Sequence, residues 1–211
     1  MDIVNYLQDI YGYNNPIFLK DIRIGRKSKT AIKQELYRAT KEGRIERRSN
    51  GIYYIKGNKE FGNGVTFRKI LEKKFIYPID VMEGLEFLFV EGYYSGMTFL
   101  NMIGMSEQVP AILEVTTNKT SSNKRYYSVG NSIAIIRKAR TKIDNTNCYI
   151  LQFLDMFYFV SLDEVKKNKE LLRDYIAKKG FSKSLLNAYL PLYDFQTVKK
   201  IVEGGLADAF I

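Results

Sequence analysis

Residues 28–56, which read SKTAIKQELYRATKEGRIERRSNGIYYIK, decide what fold we expect. Ser28 is a residue type that commonly caps the start of a helix. Three apolar residues then repeat at the spacing of one buried helical face: Ile32, Leu36 and Ala39. Gly43 is a typical stop, so the pattern predicts a helix of about 14 residues, or roughly 21 Å.

A hairpin is predicted directly after this helix. Two short strands near 44–48 and 52–56 flank the dipeptide Asn50-Gly51. Asn-Gly is a strong signal for a two-residue turn in which both residues have positive φ.

The residues before Ser28 predict two further elements. Apolar spacing predicts a helix over 2–11, and residues 17–22 are expected to form one or two helical turns. Gly25 in the linker 23–27 permits a sharp change of direction. Helix, short helix, turn, capped helix and hairpin are the order of a winged helix-turn-helix, whose second main helix lies in the major groove of DNA.

The rest of the chain predicts a second domain. The polar, Gly- and Asn-rich stretch 57–64 is the expected boundary, which gives a winged helix-turn-helix at 1–60 and a basic α/β domain at 61–211. The elements expected in this second domain are helices near 66–75, 95–104 and 161–179 and strands near 110–117, 124–137 and 148–154. The predicted fold class is therefore α+β, with an N-terminal winged helix-turn-helix followed by a larger mixed α/β domain.

Composition limits the classes of function. The chain has no His and one Cys, so the common zinc sites and the Ser-His-Asp and Cys-His catalytic arrangements cannot form. It also lacks phosphate-binding glycine motifs. We expect no enzymatic activity, no metal and no cofactor. A leader peptide and an apolar run of membrane-spanning length are not seen, so we expect a cytoplasmic protein without a membrane partner.

The net charge of +10 indicates an anionic partner, with nucleic acid ahead of an anionic membrane and plain solubilising charge as the alternative. Twelve basic and four acidic residues lie between Pro16 and Lys56. We expect DNA contacts at the start of the long helix and around the hairpin, although a solvated helix face remains an alternative. The predicted DNA-binding residues are Arg23, Arg26, Lys27, Ser28, Lys29, Thr30, Lys33, Arg44, Arg47, Arg48 and Asn50.

A second basic stretch covers residues 115–143 and contains no acidic residue. Like charges on adjacent strands repel, which favours a surface that binds a polyanion. The predicted C-terminal basic surface consists of Lys119, Lys124, Arg125, Arg137, Lys138, Arg140 and Lys142. Tyrosines beside these cations, as in residues 124–127, leave open an RNA-binding module, and a protein-interaction domain is a further alternative.

Several motifs resemble a known family. Residues 93–110 (YYSGMTFLNMIGMSEQVP), the continuation through 114–118, and the short motifs at 137–140 and 151–155 are similar to the AbiEi antitoxins of AbiE-type type IV toxin–antitoxin systems. The N-terminal runs 16–19 and 51–55 resemble the winged helix of the same family, and the resemblance covers about residues 10–160.

This resemblance implies an antitoxin that also represses its own operon. The winged helix would bind inverted repeats in double-stranded operator DNA. The C-terminal domain would help to counteract a nucleotidyltransferase toxin without a stable toxin–antitoxin complex. The resemblance implies least for residues 160–211, because family members vary there.

Overall fold

The computed structural model describes residues 2–57, 64–82 and 85–211, with only the backbone described for strand residues in 79–88. It has the mixed α+β composition that the sequence predicts. The chain divides into two units, residues 1–74 with 128–132 and residues 75–127 with 133–211. Each unit has its own buried apolar cluster.

The two main helices of the first unit begin and end where the sequence predicts. Helix α1 spans Ile3–Tyr11, and the carboxylate of Asp2 caps it. Helix α2 spans Lys29–Lys41, and the Ser28 hydroxyl accepts a hydrogen bond from the Ala31 N–H at 3.2 Å. Gly43, with φ of 72°, ends α2 in a left-handed conformation that glycine adopts without strain.

Three short strands form an antiparallel sheet in this unit. They are β1 (Ile17–Phe18), β2 (Glu46–Ser49) and β3 (Ile52–Tyr54), in the order β1-β3-β2. The prediction of helical turns over 17–22 is therefore only partly right. Residues 17–18 pair with β3, and only Leu19–Asp21 form a 3-10 helix.

The turn of the hairpin differs from the predicted one. Gly51 has φ of 72°, whereas Asn50 is not among the described non-glycine residues with positive φ. The pairing of Arg47 with Tyr53 and of Ser49 with Ile52 leaves Arg48 as an extra residue. This β-bulge adds local twist, so a turn with one left-handed residue is sufficient.

The first unit extends beyond the predicted boundary. Residues 58–63 lie outside the described residues. Helix α3 (Phe67–Leu71) still belongs to the first unit, because the Lys69 ammonium donates to the Asn14 carbonyl at 3.1 Å. The Lys73 ammonium lies 4.0 Å from the centre of the Tyr11 ring. These contacts place the division after Lys74 rather than at residue 60.

The second unit contains a four-stranded sheet, a two-stranded hairpin and the remaining helices. The large sheet has the order β6-β7-β9-β8, with β6 and β7 antiparallel and β7 and β9 parallel. The strands are β4 (Ile79–Met82), β5 (Leu85–Leu88), β6 (Gly92–Tyr94), β7 (Leu113–Thr117), β8 (Arg125–Val129) and β9 (Ser132–Lys138). The helices are α4 (Gly96–Met102), α5 (Cys148–Met156), α6 (Leu162–Lys167), α7 (Lys169–Lys179), α8 (Lys183–Tyr189) and α9 (Phe195–Glu203), with a 3-10 helix at Leu190–Leu192.

Three predictions in the second unit are corrected. The stretch 124–137, predicted as strand, forms the two strands β8 and β9 with a turn at Gly130 between them. Residues 148–154 form most of helix α5 and not a strand. Eight of the nine residues of α5 are buried, so the apolar run shows no amphipathic period, and a buried helix cannot be told from a buried strand by pattern alone. The predicted helix 161–179 has the expected capping box at Ser161 and Glu164 but is interrupted at Asn168.

In the part of the chain that the structure describes, every helix is too short or too polar to cross a bilayer.

Candidate nucleic-acid interface

Helix α2 has one buried and one solvent-exposed face. Ile32, Leu36 and Ala39 pack into the core of the first unit. The opposite face is exposed and consists of Lys29, Thr30, Lys33, Gln34, Tyr37, Arg38 and Lys41. The exposed residues can be inferred from the buried ones, because residues three and four positions apart lie on the same side of a helix.

A shallow groove of about 390 Å³ runs along the exposed face of α2. It is lined by Thr30, Lys33, Gln34, Tyr37 and Arg38. Tyr37 is 62% exposed, and the Lys41 ammonium lies 5.4 Å from its ring centre. The sequence-based site included Thr30 and Lys33 but missed the other three. These three residues could have been identified from the sequence, because they lie on the side of the helix opposite its buried apolar residues.

The residues at the start of α2 have different local roles. The Ser28 hydroxyl is used as the helix cap, while Arg26, Lys29 and Thr30 are exposed. The Lys27 ammonium lies 2.7 Å and 2.8 Å from the two carboxylate oxygens of Glu35. The positive charge of Lys27 is therefore balanced within the molecule. Arg26, Lys29 and Thr30 extend the exposed face of α2 toward its N-terminus.

Arg23 turns back onto the backbone. Its Nη1 donates to the carbonyls of Lys20 at 2.6 Å and Ile22 at 3.0 Å, and the Arg23 carbonyl accepts from the Tyr6 hydroxyl. The Arg23 guanidinium thus links the 3-10 helix to the residues that follow it, and the Arg23 side chain remains exposed.

The hairpin arginines also differ in role. Arg47 donates from Nε to the Ser49 carbonyl at 3.3 Å and from Nη2 to the Asn50 amide oxygen at 2.9 Å. It therefore stabilises the turn. Arg48 is the exposed bulge residue.

Arg44, another predicted DNA-binding residue, follows the C-terminal end of α2. Its guanidinium donates to Asp2 at 2.9 Å and 3.1 Å and to Glu42 at 3.0 Å. These acids raise the pKa of Arg44, and Arg44 lowers the pKa of Asp2. Two nearby carboxylates balance this cation, which makes it the weakest member of the predicted set.

Ion pairs with acidic residues leave only some of the cations in 16–56 available to bind an external anion. Glu35 pairs with Lys27, Glu42 with Arg44, and Glu46 with Lys56 at 3.4 Å. The Tyr54 hydroxyl also donates to Glu46, which lowers the pKa of that carboxyl and contributes, after burial, to raising the pKa of Tyr54 to about 12. Among the described residues, the cations of 16–56 without an acidic partner are Arg23, Arg26, Lys29, Lys33, Arg38, Lys41, Arg47 and Arg48.

Three of the seven residues of the predicted C-terminal basic surface are paired with acids from other parts of the sequence. Lys119 pairs with Glu91 at 2.8 Å, Arg137 with Glu114 at 2.7 Å, and Arg140 with Asp155 at 3.4 Å. The charges of these three cations are therefore balanced within the molecule.

The other members of that surface are arranged differently. The Arg125 guanidinium lies 5.5 Å from the Phe75 ring centre, and its Nε is buried. Lys124, Lys138 and Lys142 are exposed, and Lys124 lies 5.5 Å from the ring of the exposed Tyr126. The seven cations therefore do not form one uniform charged surface.

A comparison with known protein-family models gives no match, and a search of curated proteins finds no related sequence.

Proposed function

We propose that the chain is an antitoxin and transcriptional autorepressor that binds operator DNA through an N-terminal winged helix-turn-helix. Helix α2 acts as the recognition helix, and the β2–β3 hairpin acts as the wing. The exposed face of α2 carries this proposal, because cations without acidic partners cover the side opposite its buried stripe.

The element order of the first unit supports this assignment. A helix, a short strand, a 3-10 helix and α2 are followed by a hairpin whose second strand pairs with β1. A winged helix uses this order to present its second main helix to the major groove. The N-terminus of α2 also offers first-turn N–H groups, which favour phosphate oxygens.

Arg48 and the side chains along α2 have complementary tasks in this proposal. Lys33, Gln34 and Arg38 are long donors on one helical face, suited to base edges or phosphates. Arg48 at the bulge is suited to the DNA backbone beside the wing. Two copies on inverted repeats would occupy half-sites separated by whole helical turns.

The antitoxin part of the proposal rests on the sequence resemblance. It assigns the second unit the task of counteracting a nucleotidyltransferase toxin without stable binding. Co-expression with a nucleotidyltransferase encoded by a neighbouring gene tests it: the chain restores growth, and the two proteins do not co-purify. Unrelieved growth arrest, or the absence of such a neighbouring gene, counts against the assignment.

Salt dependence tests the DNA-binding part. If about six to ten phosphates are engaged, affinity for the duplex upstream of the gene falls about 10³–10⁵-fold between about 50 and 200 mM salt. Lys33→Ala weakens binding by about 1–3 kcal/mol if Lys33 reads a base. Gel-shift titration with wild-type and scrambled duplexes measures both effects.

Two variants make this test specific. Arg48→Ala probes the wing better than Arg47→Ala, because Arg47 also holds the turn. Lys166→Ala removes the same charge from an exposed position on α6 and leaves the affinity unchanged. Equal losses in Lys33→Ala and Lys166→Ala would show that only net charge matters and would refute a recognition face on α2.

An RNA-binding module remains the second candidate because of one exposed pair. Tyr126 is 63% exposed with the Lys124 ammonium beside its ring, and such pairs stack on unpaired bases. Competition between the operator duplex and a structured RNA separates the two candidates: an RNA module prefers the RNA, whereas the repressor prefers the duplex.

A further inference from the structure

A cavity of about 520 Å³ lies in the second unit beside the end of helix α5. Its lining includes Thr116, Arg137, Lys138, Arg140, Tyr158 and Phe159. Cavities that hold small molecules have volumes of about 300–1,000 Å³, so this one accommodates a ligand larger than a simple ion.

Arg140 lies against two neighbouring aromatic rings at this cavity. Its guanidinium carbon lies 4.5 Å from the Tyr158 ring centre and 4.8 Å from the Tyr193 ring centre. The Arg137 guanidinium similarly lies 5.5 Å from the Phe159 ring centre. The Tyr158 and Tyr193 ring centres are 6.3 Å apart, so both rings contact the guanidinium from neighbouring directions. These contacts restrict the motion of Arg140, which reduces the conformational entropy lost when it binds an anion.

The one acid in the lining does not repel an anion strongly, because its oxygens are already engaged. Asp155 is buried and accepts hydrogen bonds from the hydroxyls of Tyr93 at 2.8 Å and Tyr193 at 3.0 Å. The Arg140 Nε lies 3.4 Å from the same carboxylate. Asp155 therefore orients Arg140 rather than presenting a bare negative charge to the cavity.

Lys138 supplies the surplus positive charge. It is exposed and has no acidic partner within salt-bridge distance among residues 2–57, 64–78 and 89–211, whose side chains the structure describes. Arg137 and Arg140, by contrast, each have one. The Tyr158 ring is 44% exposed beside these cations, so a flat apolar surface and a positive charge lie at one cavity.

We propose that this cavity binds a nucleoside monophosphate unit, with the phosphate at Lys138 and Arg140 and the base on the ring of Tyr158. Guanidinium and ammonium groups form charge-assisted hydrogen bonds to phosphate, and an exposed tyrosine ring stacks on a base. The unit is either a free nucleotide or the 5′-phosphorylated end of a single-stranded nucleic acid, since both carry the same chemistry. This site belongs to the second unit, whereas the DNA-binding face proposed for α2 belongs to the first.

Calorimetric titration of the full chain with AMP, GMP, CMP and UMP tests the proposal. At least one of them binds, while the matching nucleoside and inorganic phosphate each bind about 10-fold or more weakly, because each lacks one of the two contacts. A 5′-phosphorylated and a 5′-hydroxyl hexanucleotide are then compared. Tighter binding of the phosphorylated hexanucleotide than of the nucleotide assigns the site to a nucleic-acid end, and the reverse assigns it to a free nucleotide.

Paired variants assign binding to this cavity. Lys138→Gln and Tyr158→Ala each weaken nucleotide binding about 10-fold, which corresponds to the loss of about 1.4 kcal/mol. Tyr158→Phe keeps the ring and binds like the wild type. Lys183→Gln and Tyr149→Ala remove a comparable exposed charge and ring elsewhere and also bind like the wild type.

Three results would overturn the proposal. One is no binding of any mononucleotide or phosphorylated hexanucleotide to the folded protein. Another is wild-type affinity in both Lys138→Gln and Tyr158→Ala. The third is an equal loss in Tyr158→Phe, since that would replace stacking with a contact of the hydroxyl. None of these results changes the expected binding of operator DNA.

Discussion

Ser28 combines a structural task with a position at the proposed DNA contact. Its hydroxyl caps α2, and loss of such a cap costs about 0.5–2 kcal/mol. Ser28→Ala is therefore expected to lower the free energy of unfolding by about 1 kcal/mol. Ser28→Asp keeps the cap and the stability but places a carboxylate where phosphate would lie, so it weakens operator binding.

Urea unfolding and gel shifts on the same two variants separate these effects. The expected result is that stability falls only in Ser28→Ala, whereas duplex affinity falls mainly in Ser28→Asp. Undiminished operator affinity in Ser28→Asp would move the DNA contact away from the start of α2.

For single residues, the sequence predicted which side chains are exposed to solvent better than it predicted their ion-pair partners. Lys33 and Arg48 are exposed as predicted, because the buried stripe and the hairpin fix which way they face. Arg44 and Asp2 are 42 positions apart, and nothing in either local sequence indicates their ion pair. Residue type gives the charge, whereas the tertiary structure decides whether another side chain has already balanced it.

The β2–β3 hairpin is expected to lose stability at both ends of the pH range. The pKa of Tyr54 is raised from 10.0 to about 12. The contribution of Tyr54 to the free energy of unfolding is therefore complete below pH 10 and is lost as the pH rises through about 12. The pKa of Glu46 is lowered from 4.5, so its contribution is present above pH 4.5 and is lost as the pH falls through its lower value in the folded state.

Tyr54→Phe and Glu46→Gln test this hydrogen bond. Each lowers the free energy of unfolding at neutral pH by about 1–2 kcal/mol, because each removes a hydrogen bond that involves a charged acceptor. The Phe variant flattens the alkaline decline, and the Gln variant flattens the acid decline, in unfolding curves measured across pH. Parallel pH profiles for both variants and the wild type would contradict a role for this pair.

The secondary structure of an element could be predicted from its sequence pattern where the element is buried on one side only. Helix α2 has polar residues on one side and apolar residues on the other, so its period of 3.6 is visible. Helix α5 is buried on nearly all sides, and its sequence matched a strand equally well. Only packing between the sheet and the surrounding helices distinguishes the two.

The described residues form two apolar clusters with different members. Leu36 is fully buried in the cluster of the first unit, and Phe153 is fully buried in that of the second. The Phe153 ring contacts those of Phe157, Tyr175, Phe181 and Phe210 at centroid distances of 5.4–6.2 Å. Truncation of either side chain leaves a cavity in one cluster only.

Leu36→Ala and Phe153→Ala test how locally each cluster acts. The expected losses are about 2–5 and about 3–5 kcal/mol, respectively. Hydrogen exchange measured by mass spectrometry accelerates mainly in α1 and α2 for the first variant and mainly in α5 and α7 for the second. Tyr149→Ala, at an exposed position of α5, is the control and changes little. Uniform acceleration throughout the chain in either variant would indicate a single cooperative unit.

The sequence by itself determined the α+β class, the bounds of α1 and α2, the hairpin and the concentration of cations around them. These properties depend on neighbours within a few positions, where helical spacing, caps and turn residues act directly. The tertiary structure decided the helical state of α5, the acids that balance Arg44, Arg137 and Arg140, and the cavity beside Tyr158. Those features join residues that are far apart in the chain, and packing alone brings them within a few ångströms.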